Sequence, residues 1–230
     1  MSPLYNLKHL LSNTELEQEK VIQNFPNKIS EETATEQIYK AEKIREQFVN
    51  LADRQIDDIS AAYPDAEVTA RIKDSSSMVE KVLRKPNQYN DVSQLQDTLG
   101  VRVVTKDLDE LETITSDLTT RYEVVSEVSY VDVPKLDGYR GYHLNVKDKY
   151  TGLVNEIQIR TKNQDKWADL MHNRVYKPSK ELEERVRMNQ DSIYKYANEL
   201  SDYYYRLDSG EKKVKKPEIS KIIRDILGDD

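Results

Sequence analysis

Residues 130–160 read YVDVPKLDGYRGYHLNVKDKYTGLVNEIQIR, and this stretch decides the fold. At its end, Glu156, Ile157, Gln158, Ile159 and Arg160 alternate polar with apolar. Side chains on a strand alternate between faces, so Glu156, Gln158 and Arg160 share one face and the two isoleucines enter a core. Taken alone, such a run is also what an amphipathic edge strand looks like. Two neighbours raise its interest. The preceding loop, 134–141, carries Lys135, Tyr139 and Arg140 just ahead of His143, and a second carboxylate, Asp97, stands before another strand pattern. A carboxylate pair facing a basic loop with an aromatic in it points to nucleotide chemistry.

Working outward, the runs 142–147 and 153–160 flank Lys149-Tyr150-Thr151-Gly152 and are expected to form a hairpin. Further strands are expected at 68–72, 101–105 and around 122–131. Helices are expected at 35–62, 108–120, 163–175 and 180–207, and a short amphipathic one carries Ile219, Ile222, Ile223 and Ile226. Residues 1–33 carry only a weak stripe (Leu10, Leu11, Leu16, Val21) before Pro26. Four or five strands in the middle, with helices before, between and after them, indicate an α+β fold with a mixed, largely antiparallel sheet flanked by helices. The expected organisation is an N-terminal helical extension over 1–66, a catalytic domain over 67–178 and a C-terminal helical extension over 179–230.

The 230 residues suffice for a substantial core. Charged residues make up 33% of the chain, and no run of about 18 apolar residues exists, so no membrane span is expected. The N-terminal residues lack a signal-peptide pattern, and with no cysteine there are neither disulfides nor thiolate metal sites, so a cytoplasmic location is expected. A net charge of −7 argues against a general nucleic-acid coat but leaves room for a local basic pocket. Only three histidines occur, none followed by Asp, which argues against a metal site built on several of them.

Arg71 and Lys73 lie on one face of the strand at 68–72. Ser77 and Lys81 lie four apart on the helix that follows, with Asp74 or Ser75 as its cap. These four polar groups are expected to converge at a strand-to-helix junction, where free N–H groups favour anions.

The ordered blocks ARIKDSSSMVEK, QDTLGVRVV, PKLDGYRGYH, NEIQIRT and WADLMHNRVYK resemble the synthetase domain of the RelA/SpoT-like alarmone synthetases, of the nucleotidyltransferase superfamily. The resemblance covers about half of the chain. It implies transfer of pyrophosphate from ATP to the 3′-hydroxyl of GDP or GTP, giving (p)ppGpp. Under it, Arg71, Lys73, Ser77 and Lys81 bind the ATP phosphates, and Arg71 and Arg102 sandwich the adenine. Asp97 and Glu156 hold Mg²⁺, with Glu156 also the base for the acceptor hydroxyl. Tyr139 stacks on the acceptor guanine, and Lys135, His143 and Gln158 line that site. The chemistry suits these residue types, because phosphoryl-type transfer needs positioning and charge neutralisation. Mg²⁺ in turn takes one or two carboxylates plus substrate phosphates.

Other roles stand beside these. Tyr139 either stacks on the base or simply packs its loop, Arg160 pairs either with Glu156 or with a phosphate, and His172 and Trp167 are read as structural. The resemblance is to the standalone small synthetases, since no His-Asp dipeptide of the hydrolase site is present. Asp165 stands where some of them have Asn, which bears on the acceptor-phosphate contact. Rival expectations are a toxin of a toxin–antitoxin pair that modifies the tRNA 3′-CCA end, a maker of adenosine alarmones, and an inactive nucleotide-binding module. An antitoxin partner goes with the first. The basic residues 212–216 with Lys221 and Arg224 offer an RNA-backbone surface, and the apolar faces after residue 182 offer a homo-oligomer interface.

Overall fold

The computed structural model describes residues 14–228, so Leu10 and Leu11 lie outside the described residues. The order is α1 (Thr14–Asn24), α2 (Glu31–Ala62), β1 (Glu67–Ile72), α3 (Ser75–Arg84), β2 (Leu99–Thr105), α4 (Leu108–Arg121), β3 (Glu123–Ser129), β4 (Tyr142–Lys147), β5 (Val154–Thr161), α5 (Lys162–Met171), α6 (Lys180–Met188), α7 (Gln190–Asp208) and α8 (Lys221–Leu227). The five strands form one sheet in the order β1-β2-β5-β4-β3. Only β2 and β5 run parallel, so the sheet is mixed and largely antiparallel, as its hairpin and strand–helix patterns lead one to expect.

One face of the sheet is closed by α2 and α4. Phe48, Leu51 and Ile59 of α2 and Leu111, Ile114 and Leu118 of α4 bury against Val101, Val103, Leu144, Ile157 and Ile159. The helix α2 starts where Ser30 caps Thr33 N and stops at Tyr63, before Pro64. It belongs to the central core, and a reciprocal amide pair between Gln55 and Asn155 (2.9 and 3.1 Å) fastens it to β5. The 66/67 boundary therefore separates sequence patterns and not cores.

On the other face, α5, α7 and α8 build a second core from Trp167, Met171, Ile193, Ala197, Leu200, Ile223 and Ile226. One expectation changes here. The helix expected over 180–207 is broken at Asn189 (φ −117°, ψ 18°), whose side chain donates to Arg185 O at 2.8 Å. The apolar residues after 182 that could meet another subunit are largely buried within the chain against each other and α5, with Ile222 exposed. The tip of the 130–141 loop is pinned against this second core. Gly138 has φ +94°, and a Cβ there would stand 3.1 Å from Trp167 Cζ2 and 3.2 Å from Ala197 O. Gly138→Ala is expected to destabilise the fold by roughly 1–3 kcal/mol, read as a lower urea midpoint at unchanged slope.

Candidate active site

Sheet register places the polar groups before any side-chain geometry is considered. Residues paired across strands point to the same face, so Arg71, Gly100, Glu156 and Asn145 form one row, and Thr69, Arg102, Gln158 and His143 form the next. Their face is the one opposite α2 and α4. A cleft of about 850 Å³ opens over it, lined by Arg71, Lys73, Ser77, Lys81, Asp97, Arg102, Glu156 and Gln158 among others.

The expected phosphate cluster converges. Lys73 N donates to Thr98 O at 2.8 Å, prolonging the β1–β2 ladder by one step and bringing Lys73 beside Asp97. Asp97 Oδ2 accepts from Lys73 Nζ at 2.5 Å and from Lys81 Nζ at 2.6 Å. Burial pushes the Asp97 carboxyl up, but the two lysines outweigh it and hold the group below the usual aspartate value. Burial likewise pulls the Lys73 ammonium down despite Asp97. The other carboxylate oxygen, Asp97 Oδ1, is buried with no hydrogen-bond partner among the described residues. A buried orphan acceptor is costly unless something meets it.

The helix end itself differs from expectation. Asp74 is the N-cap of α3 but makes no side-chain cap bond, and it pairs with Arg71 at 3.3 Å. Glu17 of α1 does the capping: its Oε2 accepts from Ser76 N at 3.0 Å and from Ser76 Oγ at 2.5 Å. The chain's own carboxylate thus takes part of the anion-favouring helix terminus, leaving Ser77 and Lys81 as the groups of α3 that line the cleft.

Glu156 is the meeting point of a closed ring of hydrogen bonds. Arg160 Nε donates to the Tyr139 hydroxyl at 3.1 Å, that hydroxyl donates to His143 Nε2 at 2.5 Å, and His143 Nδ1 donates to Glu156 Oε1 at 2.8 Å. On the second branch Arg160 Nη2 donates to Gln158 Oε1 at 2.6 Å, and Gln158 Nε2 donates to Glu156 Oε2. Arginine only donates and an ionised carboxylate only accepts, so the Gln158 branch runs from Arg160 to Glu156, and the His143 branch runs the same way when the imidazole is the Nδ1–H tautomer. Burial pushes Glu156 up, but its bonds from His143 and Gln158 outweigh this and leave the carboxyl below the ordinary glutamate value. Each Glu156 oxygen accepts one bond in the ring and keeps a second lone pair. Arg160 pairs with Asp165 (3.2 Å) and not with Glu156.

The residues expected at the acceptor sit differently from those expected at the donor. Of Lys135, Tyr139, His143 and Gln158, only Gln158 lines the cleft, and the other three stand behind it. Tyr139 is buried among Tyr130, His143 and Trp167, with Lys135 Nζ 4.7 Å from its ring centroid. Burial pushes its phenol pKa up. Trp167 is core, 2% exposed, as its sequence context suggests. His172 opens a π-helical turn (His172–Tyr176) and lines the cleft, and burial lowers its pKa. The basic residues 212–216 lie away from the cleft, and Lys215 is paired with Glu218 at 2.8 Å.

Sequence reasoning missed Gly100. It stands between Arg71 and Glu156 in their row, and a Cβ there would meet only Arg71 O at 4.0 Å. Its missing side chain leaves the cleft floor open. Gly100→Val suits a strand and strains nothing, so thermal stability is expected to hold while ATP affinity falls about tenfold or more, checked by calorimetric titration.

The family described as a region found in RelA / SpoT proteins matches residues 70–181. The GTP pyrophosphokinase YjbM of Bacillus subtilis is 31% identical over 144 residues, 59% of this chain and 68% of that protein. The GTP pyrophosphokinase YwaC of the same organism is 27% identical over 161 residues, 65% of this chain and 75% of that protein. The crystal structure of small alarmone synthetase 1 from Bacillus subtilis, bound to its product pppGpp, superimposes with a TM-score of 0.56 at 26% identity, covering 72% of this chain and 90% of that one.

Proposed function

Since this chain belongs to the RelA/SpoT-like small alarmone synthetases, we propose that it is a pyrophosphokinase that moves the terminal pyrophosphate of ATP to the 3′-hydroxyl of GDP or GTP. The observation that carries this reading is the pairing of two ionised carboxylates, Asp97 and Glu156, with the phosphate-seeking lysines Lys73 and Lys81 in one cleft.

In this reading the ATP triphosphate takes Lys73 and Lys81 from Asp97, with Ser77 and Arg71 completing its cradle. Arg102, planar and at the cleft wall, holds the adenine by stacking, with Arg71 on the other side. The residues fit Mg²⁺: the orphan Asp97 Oδ1 and the spare lone pairs of Glu156 are hard oxygen donors. Two carboxylates is also the number that ion takes when phosphates supply the rest. When bound, Mg²⁺ supplies charge neutralisation on the transferring phosphates.

Glu156 accepts the proton of the 3′-hydroxyl, and its ring of partners keeps it ionised and aimed. Gln158 fixes one oxygen and His143 the other. The acceptor base takes the face of Tyr139 over which Lys135 now stands, so Lys135 is displaced towards the acceptor's phosphates.

Incubation with γ-labelled ATP and, separately, GDP, GTP, ATP or deacylated tRNA tests this. Label is expected on GDP or GTP. Label only on tRNA, or on the 3′-position of an adenosine nucleotide, would replace the guanosine acceptor by a toxin-type or adenosine-alarmone activity. Label on none of them would overturn the enzyme reading and leave a binding module.

A further inference from the structure

We propose that Asp165 is a positioning residue that couples the two nucleotide subsites, so that each nucleotide binds more tightly when the other is present. The inference rests on the proposed function for the identity of those subsites. A single oxygen, Asp165 Oδ1, accepts from Arg160 Nη1 at 3.2 Å and forms an ion pair with Arg102 Nη1 at 3.2 Å. The two guanidiniums belong to different subsites. Arg102 projects from β2 into the cleft, where the donor base is to lie, and its side chain is 37% exposed. Arg160, 8% exposed, heads the ring that holds Tyr139, Gln158, His143 and Glu156 on the acceptor side.

Sharing leaves both contacts long. Charge-assisted N–H···O contacts normally close to about 2.7–2.9 Å, and neither contact to Asp165 does. The carboxylate cannot shift far to favour one partner. It sits in the first turn of α5, whose N-terminus is locked by a capping box between Thr161 and Gln164, where a negative charge is also favoured by the helix dipole. The guanidiniums must do the moving. Arg102 already donates to a second carboxylate, Asp169 Oδ1 at 3.2 Å, whereas Arg160 has no ion pair besides Asp165 among the described residues. A donor base that stacks on Arg102 and holds it on Asp169 leaves Asp165 wholly to Arg160. That tightens the ring and orders the acceptor platform. The reverse follows by thermodynamic necessity, since a coupling between two binding equilibria is reciprocal.

The test is the affinity of full-length protein for α,β-methylene-ATP, which cannot transfer its pyrophosphate, measured by calorimetry with and without saturating GDP. In the wild type, GDP is expected to tighten binding by about fivefold or more. In Asp165→Asn, which keeps size and loses charge, the ratio is expected to fall towards one. In Asp169→Asn, which leaves the Arg102–Asp165–Arg160 bridge intact, part of the ratio is expected to remain. Asp165→Ser serves as a second variant if the amide melts early. A wild-type ratio of one, or an Asp165→Asn ratio equal to the wild type's, would overturn the coupling while leaving the pyrophosphokinase reading standing. Failure of the wild type to bind either nucleotide would instead count against that reading.

Discussion

Glu156→Gln lowers the rate of pyrophosphate transfer by about 10²–10⁴-fold while ATP still binds, which is the expected loss for a general base removed from a positioned site. The amide cannot accept the hydroxyl proton at neutral pH. It also disturbs the ring, because His143 Nδ1 and Gln158 Nε2 both donate to the carboxylate, one to each oxygen. An amide has one acceptor end, so one of these donors faces an N–H₂ group, at a cost of about 1–3 kcal/mol in local stability. The lysine cluster is untouched, since Lys73 and Lys81 meet Asp97 and not Glu156. Single-turnover kinetics should therefore show kcat reduced with little change in KM for ATP. Turnover at the wild-type rate would remove Glu156 from the mechanism.

Trp167→Ala is expected to cost about 3–5 kcal/mol, the usual range for truncating a fully buried aromatic. In a chain of this length that lowers the melting temperature by roughly 6–20 °C. Trp167 fills the space between α5 and α7, donates from Nε1 to Ala197 O at 2.7 Å and stacks edge-on against Tyr139 at 6.3 Å. It also backs Gly138, so its loss leaves the acceptor loop without support while α3 and the lysine cluster keep theirs. Where the variant is folded, KM for the acceptor should rise more than KM for ATP. An equal rise in both would show that Trp167 supports the whole cleft and not the loop.

The fold was legible wherever a local pattern sufficed. Alternation in 156–160 gave β5 its two faces, and the spacing of Arg71, Lys73, Ser77 and Lys81 foretold a cluster that does assemble. What stayed hidden was set by tertiary contacts. Nothing local breaks a helix at Asn189, because Val186 and Ile193 are seven apart and no Gly or Pro intervenes. The break exists because α6 packs on α8 and the π-turn whereas α7 packs on α5. Glu17 reaches Ser76 across 59 residues, and the ring around Glu156 closes only when the loop block 134–143 folds against the strand block 155–161. The same holds for Asp165, whose two arginines come from β2 and β5. The burial of Tyr139 and the position of Lys135 over its ring also depend on α5 and α7, which no pattern within 130–141 reveals.

A phosphorus NMR spectrum of the chain incubated with ATP, Mg²⁺ and GDP or GTP reads the transfer directly. Pyrophosphate transfer predicts AMP and a guanosine nucleotide bearing a new 3′-diphosphate, formed in equal amounts. Formation of ADP in place of AMP, or consumption of ATP with no 3′-diphosphate on guanosine, would contradict it.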